Sequence, residues 1–384
     1  MSLLAKVRPP EITSPLRDPR VTVRVGAWLG VAVLVCFLTG LLSHLHQHPV
    51  GWLPIPPRPA WGYRVTQGLH VASGIACVPL VLVKLFSVFP RLLEWPPVRS
   101  LPHALERLSV AGLVGAMLFE VVTGLLNVAQ LYPWGFFFPS AHYAVAWVLV
   151  GSVLLHLAVK APVIAEAWRT RTTDAGTPDG TPDAVDGALT RRGLLVSTGA
   201  AVGAVTLVTI GQTVPGLSRF ALLAPRRPTT GPQGFPVNKT ARSAGVAAFA
   251  TSPQWRLLVA GPAARAFSLD ELAALPQQSV SLPIACVEGW SATVRWDGVR
   301  LADVLALTGL DPAAGVLVTS LEAKGLYGRS TLTADQALDP QTLLALRANG
   351  ETLALDHGFP LRLIAPNRPG VQQTKWLSRI ETAR

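Results

Sequence analysis

Apolar residues are spread unevenly along the 384 positions. Four runs in the first half, about 25–43, 65–89, 108–128 and 141–163, are each near the ~20 residues that a membrane-crossing helix needs. A weaker, glycine-rich run follows Arg191 and Arg192 and extends to 213. The pattern predicts an all-α, five-helix transmembrane segment, four helices forming a bundle over 25–163 and the fifth over 191–213. Residues 1–24 are polar and read as a cytoplasmic N-terminus. Residues 164–190 are rich in Thr, Asp, Gly and Pro and read as a disordered cytoplasmic linker. Residues 214–234, rich in Pro, Gly and Arg, read as a tether.

After 235 the period shortens. WRLLVAG reads as a strand ending in a turn, and SVSLPIAC as a strand running into Cys286. SLDELAALP reads as a helix, with Ser268 and Glu271 spaced as a capping box. VRLADVLALTGL is an amphipathic helix closed by Gly309. GVLVTSLEAKGLYGRSTL reads as two strands around a turn, and LRLIAP as another strand. Residues 235–384 are therefore expected to form a separate α+β domain.

Composition fits a membrane protein: half the residues are hydrophobic and 14% are charged. The formal charge of +11 would allow a nucleic-acid partner, but the basic residues cluster in short segments beside the apolar runs, so none is expected. With the N-terminus inside, the inner segments hold twelve Lys and Arg, from Lys6 to Arg192, against two, Arg58 and Arg64, in the outer loops. That asymmetry orients the chain as a multi-pass cell-membrane protein with residues after about 214 extracytoplasmic. Trp52, Trp61, Tyr132, Trp134 and Phe136–Phe138 suit the outer interface. Arg191 and Arg192 before a glycine-rich span resemble a twin-arginine export signal, which implies the twin-arginine translocation machinery as a partner. An ordinary fifth helix with two cytoplasmic arginines is the other reading.

Histidines inside membrane spans are costly and suggest function. His142 and His156 lie 14 residues apart in the fourth run. That spacing returns a helical side chain to nearly the same face ~21 Å further on. It suits two haems stacked across a bilayer, since imidazole is a usual haem ligand. On the assigned orientation His70 and His142 lie toward the outer side, and His156 and His103 toward the inner side. HYAVAWVLVGSVLLHL resembles the fourth helix of four-helix membrane cytochromes b, which implies haem b, one or two per chain. The second-run partner that such cytochromes carry 14 residues after His70 is missing, because that position is Lys84. Lys84 is expected to snorkel to the inner interface. Capping histidines are the alternative, equally so for His44, His46 and His48. Glu120 fits a quinol proton path or an interhelical hydrogen bond.

Cys36 and Cys77 sit in apolar runs and read as packing. Cys286 has no partner cysteine in its own domain, and a thiolate is a soft ligand for a transition metal. CVEGWS followed by VRWDGVRLADVL, with NGETLALDHGFPLRLIAP and TKWLSRI further on, resembles the molybdenum-binding region of the sulfite-oxidase-fold molybdoenzymes. The resemblance implies molybdenum held by Cys286 and by a pterin dithiolene. It implies pterin contacts from His357, Arg362 and Lys375, and one from Asn238. The arginines that sulfite oxidases place just after the cysteine are replaced by Val287, Glu288, Gly289 and Trp290. CVEGWS is more similar to the periplasmic methionine sulfoxide reductases, which pair with a separate haem-bearing membrane partner.

These readings imply a membrane-anchored molybdenum oxidoreductase performing oxygen-atom transfer. Reduction of a small-molecule or protein S-oxide is favoured, with electrons exchanged with quinone or quinol through haem b. Two alternatives stay open: a sulfite-type oxidase delivering electrons to quinone, and a membrane cytochrome with a non-catalytic docking domain.

Overall fold

A computed structural model of the chain describes residues 15–92, 94, 96, 98–173 and 190–383. Five long helices come first: α1 (Pro19–Gln47), α2 (Gly62–Leu92), α3 (Leu101–Val128), α4 (Phe138–Thr173) and α5 (Arg191–Ile210). All five contain windows long and apolar enough to cross a membrane. Large side chains such as Val31, Leu82 and Leu154 remain exposed on them, as expected of surfaces that face lipid. The helices run further than the apolar runs alone suggest. α1 begins before the predicted start at 25, and α4 continues through Thr173 into the predicted linker. The sequence AEAWRTR there is built of good helix formers and offers no break. The rest of that linker, 174–189, lies outside the described residues.

The chain divides into two compact units. One holds the described residues up to Leu38 together with His70–Leu207; the other holds Thr39–Leu69 together with Val208 onward. In the first unit α2, α3 and α4 meet through Cys77, Val81, Ala116, Met117 and Leu149. α1, α2 and α5 meet through Val21, Val25, Leu80 and Leu194. Polar ties add to this packing. Lys84 Nζ donates to Thr22 O at 2.8 Å, so it turns to the backbone of α1 at the end that carries Arg20 and Arg24. Thr190 Oγ1 caps α5, and Arg191 pairs with Asp18 at 3.1 Å.

In the second unit two sheets share the C-terminal domain. The strands are β1 (Leu257–Ala260), β2 (Arg265–Phe267), β3 (Gln278–Ala285), β4 (Ser291–Arg300), β5 (Val316–Ser320), β6 (Arg329–Leu332), β7 (Leu343–Ala348), β8 (Glu351–Thr352), β9 (Arg362–Ile364) and β10 (Leu377–Thr382). Short helices α6 (Ala247–Ala250), α7 (Leu269–Ala274), α8 (Leu301–Thr308) and α9 (Ala334–Leu338) connect them. One sheet has the order β2-β1-β10-β5-β6; the other runs β3-β4-β7-β8, with β9 also paired to β7. Among the described strands only β1 and β10 pair in parallel, and one isolated parallel bridge joins Ala285 to Pro369.

The predicted capping box on α7 forms, with Ser268 and Glu271 satisfying each other's backbone N–H groups. Gly309 closes α8 at φ 63°, a conformation that costs glycine little. Leu257, Phe267, Leu305, Val318 and Leu377 fill one core, and Phe235, Leu282, Trp296, Leu343 and Ile364 fill a second. The predicted tether carries a 3-10 turn, Pro215–Phe220.

Candidate functional site

β3 and β4 form an antiparallel hairpin whose last pair is Ala285 with Ser291. Cys286 starts the connecting turn. Its N–H donates to Trp290 O at 2.9 Å, and Gly289 N–H donates back to Cys286 O at 3.0 Å. Gly289 sits at φ 93°, where a side chain would strain the turn. The thiol is thus fixed by backbone on both sides and is 2% exposed. Burial pushes its pKa well up, and the neighbouring Glu288 carboxylate pushes the same way. Glu288 is itself buried and accepts from Trp290 Nε1 at 3.1 Å. With no cation at the sulfur the thiol form is therefore favoured; a coordinated metal ion reverses that balance.

The second motif arrives on β9 and the turns flanking it. Arg362 is 2% exposed; its Nε donates to Gln373 O at 3.2 Å and its Nη1 to His357 O at 3.1 Å. Among the described residues no carboxylate pairs with it, and burial lowers its pKa to about 9. Lys375 Nζ donates to Asn238 Oδ1 at 3.1 Å, to Asp356 O at 2.9 Å and to Lys239 O. Burial, then the nearby Arg362 charge, depresses its pKa to about 7. His357 is buried against Phe235, ring centroids 3.7 Å apart, with Nε2 at 2.9 Å from Pro232 O. Burial, then Arg362, holds its pKa down at about 4, so the ring is neutral. A negative sulfur at Cys286 opposes the lowering at both Arg362 and Lys375, which puts all three groups in one electrostatic neighbourhood.

These residues fit a pterin-held metal with its phosphate. Arg362 is desolvated without an acid, and Lys375 feels the Asp356 and Glu322 carboxylates without a direct ion pair, so the two charges together are costly unless an anion joins them. The indole Nε1 of Trp296, whose ring lies 5.3 Å from the Arg362 guanidinium, is buried without a partner. Gly358, at φ 116°, leaves the space between the two cations open. A Cβ there would lie 3.1 Å from Lys375 Cβ and 3.2 Å from Arg362 Cβ. Cys286, Asn238, His357, Arg362 and Lys375 are thus brought together.

Residues that the sequence reading passed over complete the surroundings. Tyr327, in the turn between β5 and β6, donates to Gln47 Oε1 at 3.1 Å. Burial, then the Cys286 charge, raises its pKa, so the hydroxyl stays protonated. Gln67 Nε2 donates to Val287 O at 3.1 Å, next to the cysteine. Tyr63 is 1% exposed; its N–H donates to Asn367 Oδ1 at 2.7 Å and its hydroxyl lies 3.1 Å from Ser43 Oγ. Arg64 donates to Ser291 Oγ and Thr293 Oγ1, each at 2.7 Å, and Arg58 pairs with Asp339 at 3.1 Å. Thr213 Oγ1 donates to Gly289 O, and Gln212 O accepts from Ser291 N. The two arginines that the sequence offered only as orientation signals are thus structural ties. The one local hint for Tyr327 is its place between two glycines in GLYGR.

In the helical unit His70 and His142 come together with ring centroids 6.2 Å apart. His70 Nδ1 lies 2.9 Å from Cys36 O, and His142 Nδ1 lies 3.0 Å from Glu120 Oε2. Glu120 therefore makes the interhelical contact that was one of its two readings. Cys36 departs from plain packing, because its Sγ donates to His70 O at 3.5 Å. Cys77 is simply buried. His103 lies in the first turn of α3, with Nδ1 accepting from Arg99 N at 3.1 Å. No ring contact joins His103 to His156 among the described residues, so the second pair is not brought together as the first is.

The family described as oxidoreductase molybdopterin binding domain matches residues 244–384. The putative protein-methionine-sulfoxide reductase subunit YedZ1 of Azospira oryzae is 37% identical over 115 residues, which is 30% of this chain and 43% of that protein. The mitochondrial sulfite oxidase of Mus musculus is 34% identical over 140 residues, 29% of this chain and 26% of that protein. The chain therefore spans less than half the length of these two relatives. The crystal structure of the sulfane dehydrogenase SoxCD from Paracoccus pantotrophus aligns at 22% identity and a TM-score of 0.32, covering 40% of this chain and 43% of that one. With Cys286, Arg362 and Lys375 gathered in the matched region, residues 244–384 form a molybdopterin-binding oxidoreductase domain of the sulfite oxidase type, on a chain whose first half holds five apolar helices.

Proposed function

We propose that this chain is a membrane-anchored reductase of S-oxides, small or protein-borne, drawing electrons from quinol through haem b. The convergence of a buried cysteine with two desolvated basic groups, Lys375 and the acid-free Arg362, carries the reading. A molybdenum–pterin group there would be held by the Cys286 sulfur and by Arg362, Lys375, His357 and Asn238, and it would supply two-electron oxygen-atom exchange. In the reduction the S–O bond breaks, sulfur gains two electrons, and oxygen leaves as water with two protons. The residues around Cys286 set the preference. Glu288, buried two positions after the cysteine, repels a sulfite dianion but not a neutral sulfoxide. The protonated Tyr327 hydroxyl, turned away from Gln47 Oε1, would donate to a sulfoxide oxygen.

His70 and His142 are the proposed haem ligands. With ring centroids 6.2 Å apart, the two imidazoles would hold one haem iron between them. Partners at both Nδ1 atoms direct Nε2 toward a metal. This supports one haem ahead of two. Twin-arginine export through Arg191 and Arg192, and an extracytoplasmic domain, belong to the same proposal. The closeness of the sulfite oxidases keeps sulfite oxidation as the competing direction.

The test is the purified full-length protein, assayed for metal, optical spectrum and turnover. Expected are one molybdenum per chain, a haem b spectrum, and sulfoxide reduction with a reduced dye. Turnover of sulfite but not of sulfoxides reverses the direction. Haem without molybdenum or tungsten in a folded preparation removes the enzyme and leaves the docking role.

A further inference from the structure

A second buried guanidinium has no place in the molybdenum site. Arg368 is 4% exposed, on the turn after β9. Its Nη1 donates to Thr331 O at 2.9 Å and to Gln336 Oε1 at 2.6 Å. Its other edge, Nε and Nη2, is buried with no hydrogen-bond partner. Among the described residues no carboxylate pairs with it. Burial alone accounts for its pKa of about 10; unlike Arg362, it does not feel the Cys286 charge. It lines a pocket of about 190 Å³ with His46, Val50, Ile55, Gln336 and Pro369. His46 Nε2 is a second buried nitrogen there, outside hydrogen-bond geometry but beside the Asn367 amide.

The chemistry of the occupant follows from the unpaired edge. Nε–H and Nη2–H of an arginine are parallel donors spaced for two oxygens of one oxyanion. Leaving both unmade in a buried cation is costly, so an anion gains the full desolvation benefit. His46 Nδ1 donates to Leu42 O at 2.8 Å, so Nε2 becomes a further donor only when a bound anion draws a second proton onto the ring, and Val50, Ile55 and Pro369 exclude water. The pocket lies at the last turn of α1 and the loop after it, at an end of a membrane-length helix. A free oxyanion and a lipid phosphate can both present the required oxygens.

We propose that this pocket is an oxyanion-binding site, with the Nε–Nη2 edge of Arg368 as its bidentate donor and His46 beside it. The site is independent of the molybdenum reading and survives its failure. The experiment uses the full chain, delipidated in detergent, with thermal unfolding followed during titration. Sodium sulfate is titrated at constant ionic strength against chloride. Short-chain phosphatidylglycerol is titrated against the matching diacylglycerol, which lacks the phosphate. Saturable stabilisation is expected from at least one oxyanion. Sulfate alone marks a free-ion site; the phospholipid alone or more strongly marks a headgroup site.

Arg368→Lys keeps the charge but loses the fork, and should weaken the response about tenfold or more. Gly51→Trp leaves Arg368 untouched and should block the pocket: Gly51 lines it, and a Cβ there meets nothing within 4 Å, so the backbone tolerates the change. It should abolish the response even if the arginine variant folds poorly. The proposal is overturned if neither oxyanion stabilises the protein, if diacylglycerol does so equally, or if both variants respond as the wild type does.

Discussion

Cys286 and His142 are both candidate metal ligands, yet the chain holds them in opposite ways. Cys286 is clamped by main-chain hydrogen bonds in a two-strand turn, and its basic neighbours come from residues some 70 to 90 positions later in the sequence. His142 is held by side chains, Glu120 and Thr123 from the neighbouring helix. A sheet fixes one atom through backbone geometry. A helix offers a face, and side-chain partners must choose the nitrogen and the angle. The first kind of site is written in a contiguous motif; the second is spread over helices and shows only as spacing.

The sharpest way to break the comparison is to cross the two sites. Cys286→Ser should abolish molybdenum and all molybdenum-dependent turnover while the haem spectrum stays. His142→Ala or His70→Ala should erase that spectrum with molybdenum content intact, and His156→Ala should change neither. Loss of both cofactors in any one variant would deny that the sites are separately built.

Next in size is Gly358→Ala. The left-handed backbone and the added Cβ between Arg362 and Lys375 should cost about 1–3 kcal/mol in unfolding experiments and lower molybdenum retention. The same exchange at Gly124 should be mild, since a Cβ there would meet His142 Cε1 at an ordinary 3.8 Å.

The last expected effect is on pH, and it is small only per pH unit. Burial takes Lys375 from a lysine's usual 10.5 to about 7, so the unfolded chain binds this proton more tightly than the folded one. Stability of the cofactor-free protein should therefore rise with pH between about 7 and 10.5, by at most about 1.4 kcal/mol per unit from this group. Lys375→Met should flatten the slope. Loading the cofactor should flatten it too, because an anion restores the lysine's proton affinity. A slope unchanged in Lys375→Met would assign it to other groups.

Much of this was legible before any coordinates. The capping box at Ser268, the closing Gly309, the strand into Cys286 and the strand pair around Tyr327 are local features, and local physics decides them. β7 was not legible as a strand, because its burial runs nearly unbroken on both faces and the alternation that marks a half-buried strand is weak. β4 does alternate, with Ala292, Val294 and Trp296 buried against exposed Thr293 and Arg295, so it was legible but went unread beside the cysteine motif. The pairing of His70 with His142 was legible in outline from helix position. Its partners, Cys36 O and Glu120, were not, because they depend on how helices rotate against each other. The roles of Arg58, Arg64 and Gln67 were the least legible. Each touches a residue more than two hundred positions away, and no window of sequence contains both ends.

Those distant ties bear on the order in which the molecule is finished. Thr39–Leu69 leaves the ribosome more than two hundred residues before its partners around Val287, Ser291, Asp339 and Asn367. Contacts so far apart close late and slowly. The earlier segment must wait, incompletely packed, until the sheet-bearing domain has folded. A gene cut at the tether would therefore yield two unfinished pieces, one with unmet arginines and one with an uncovered face beside its cysteine.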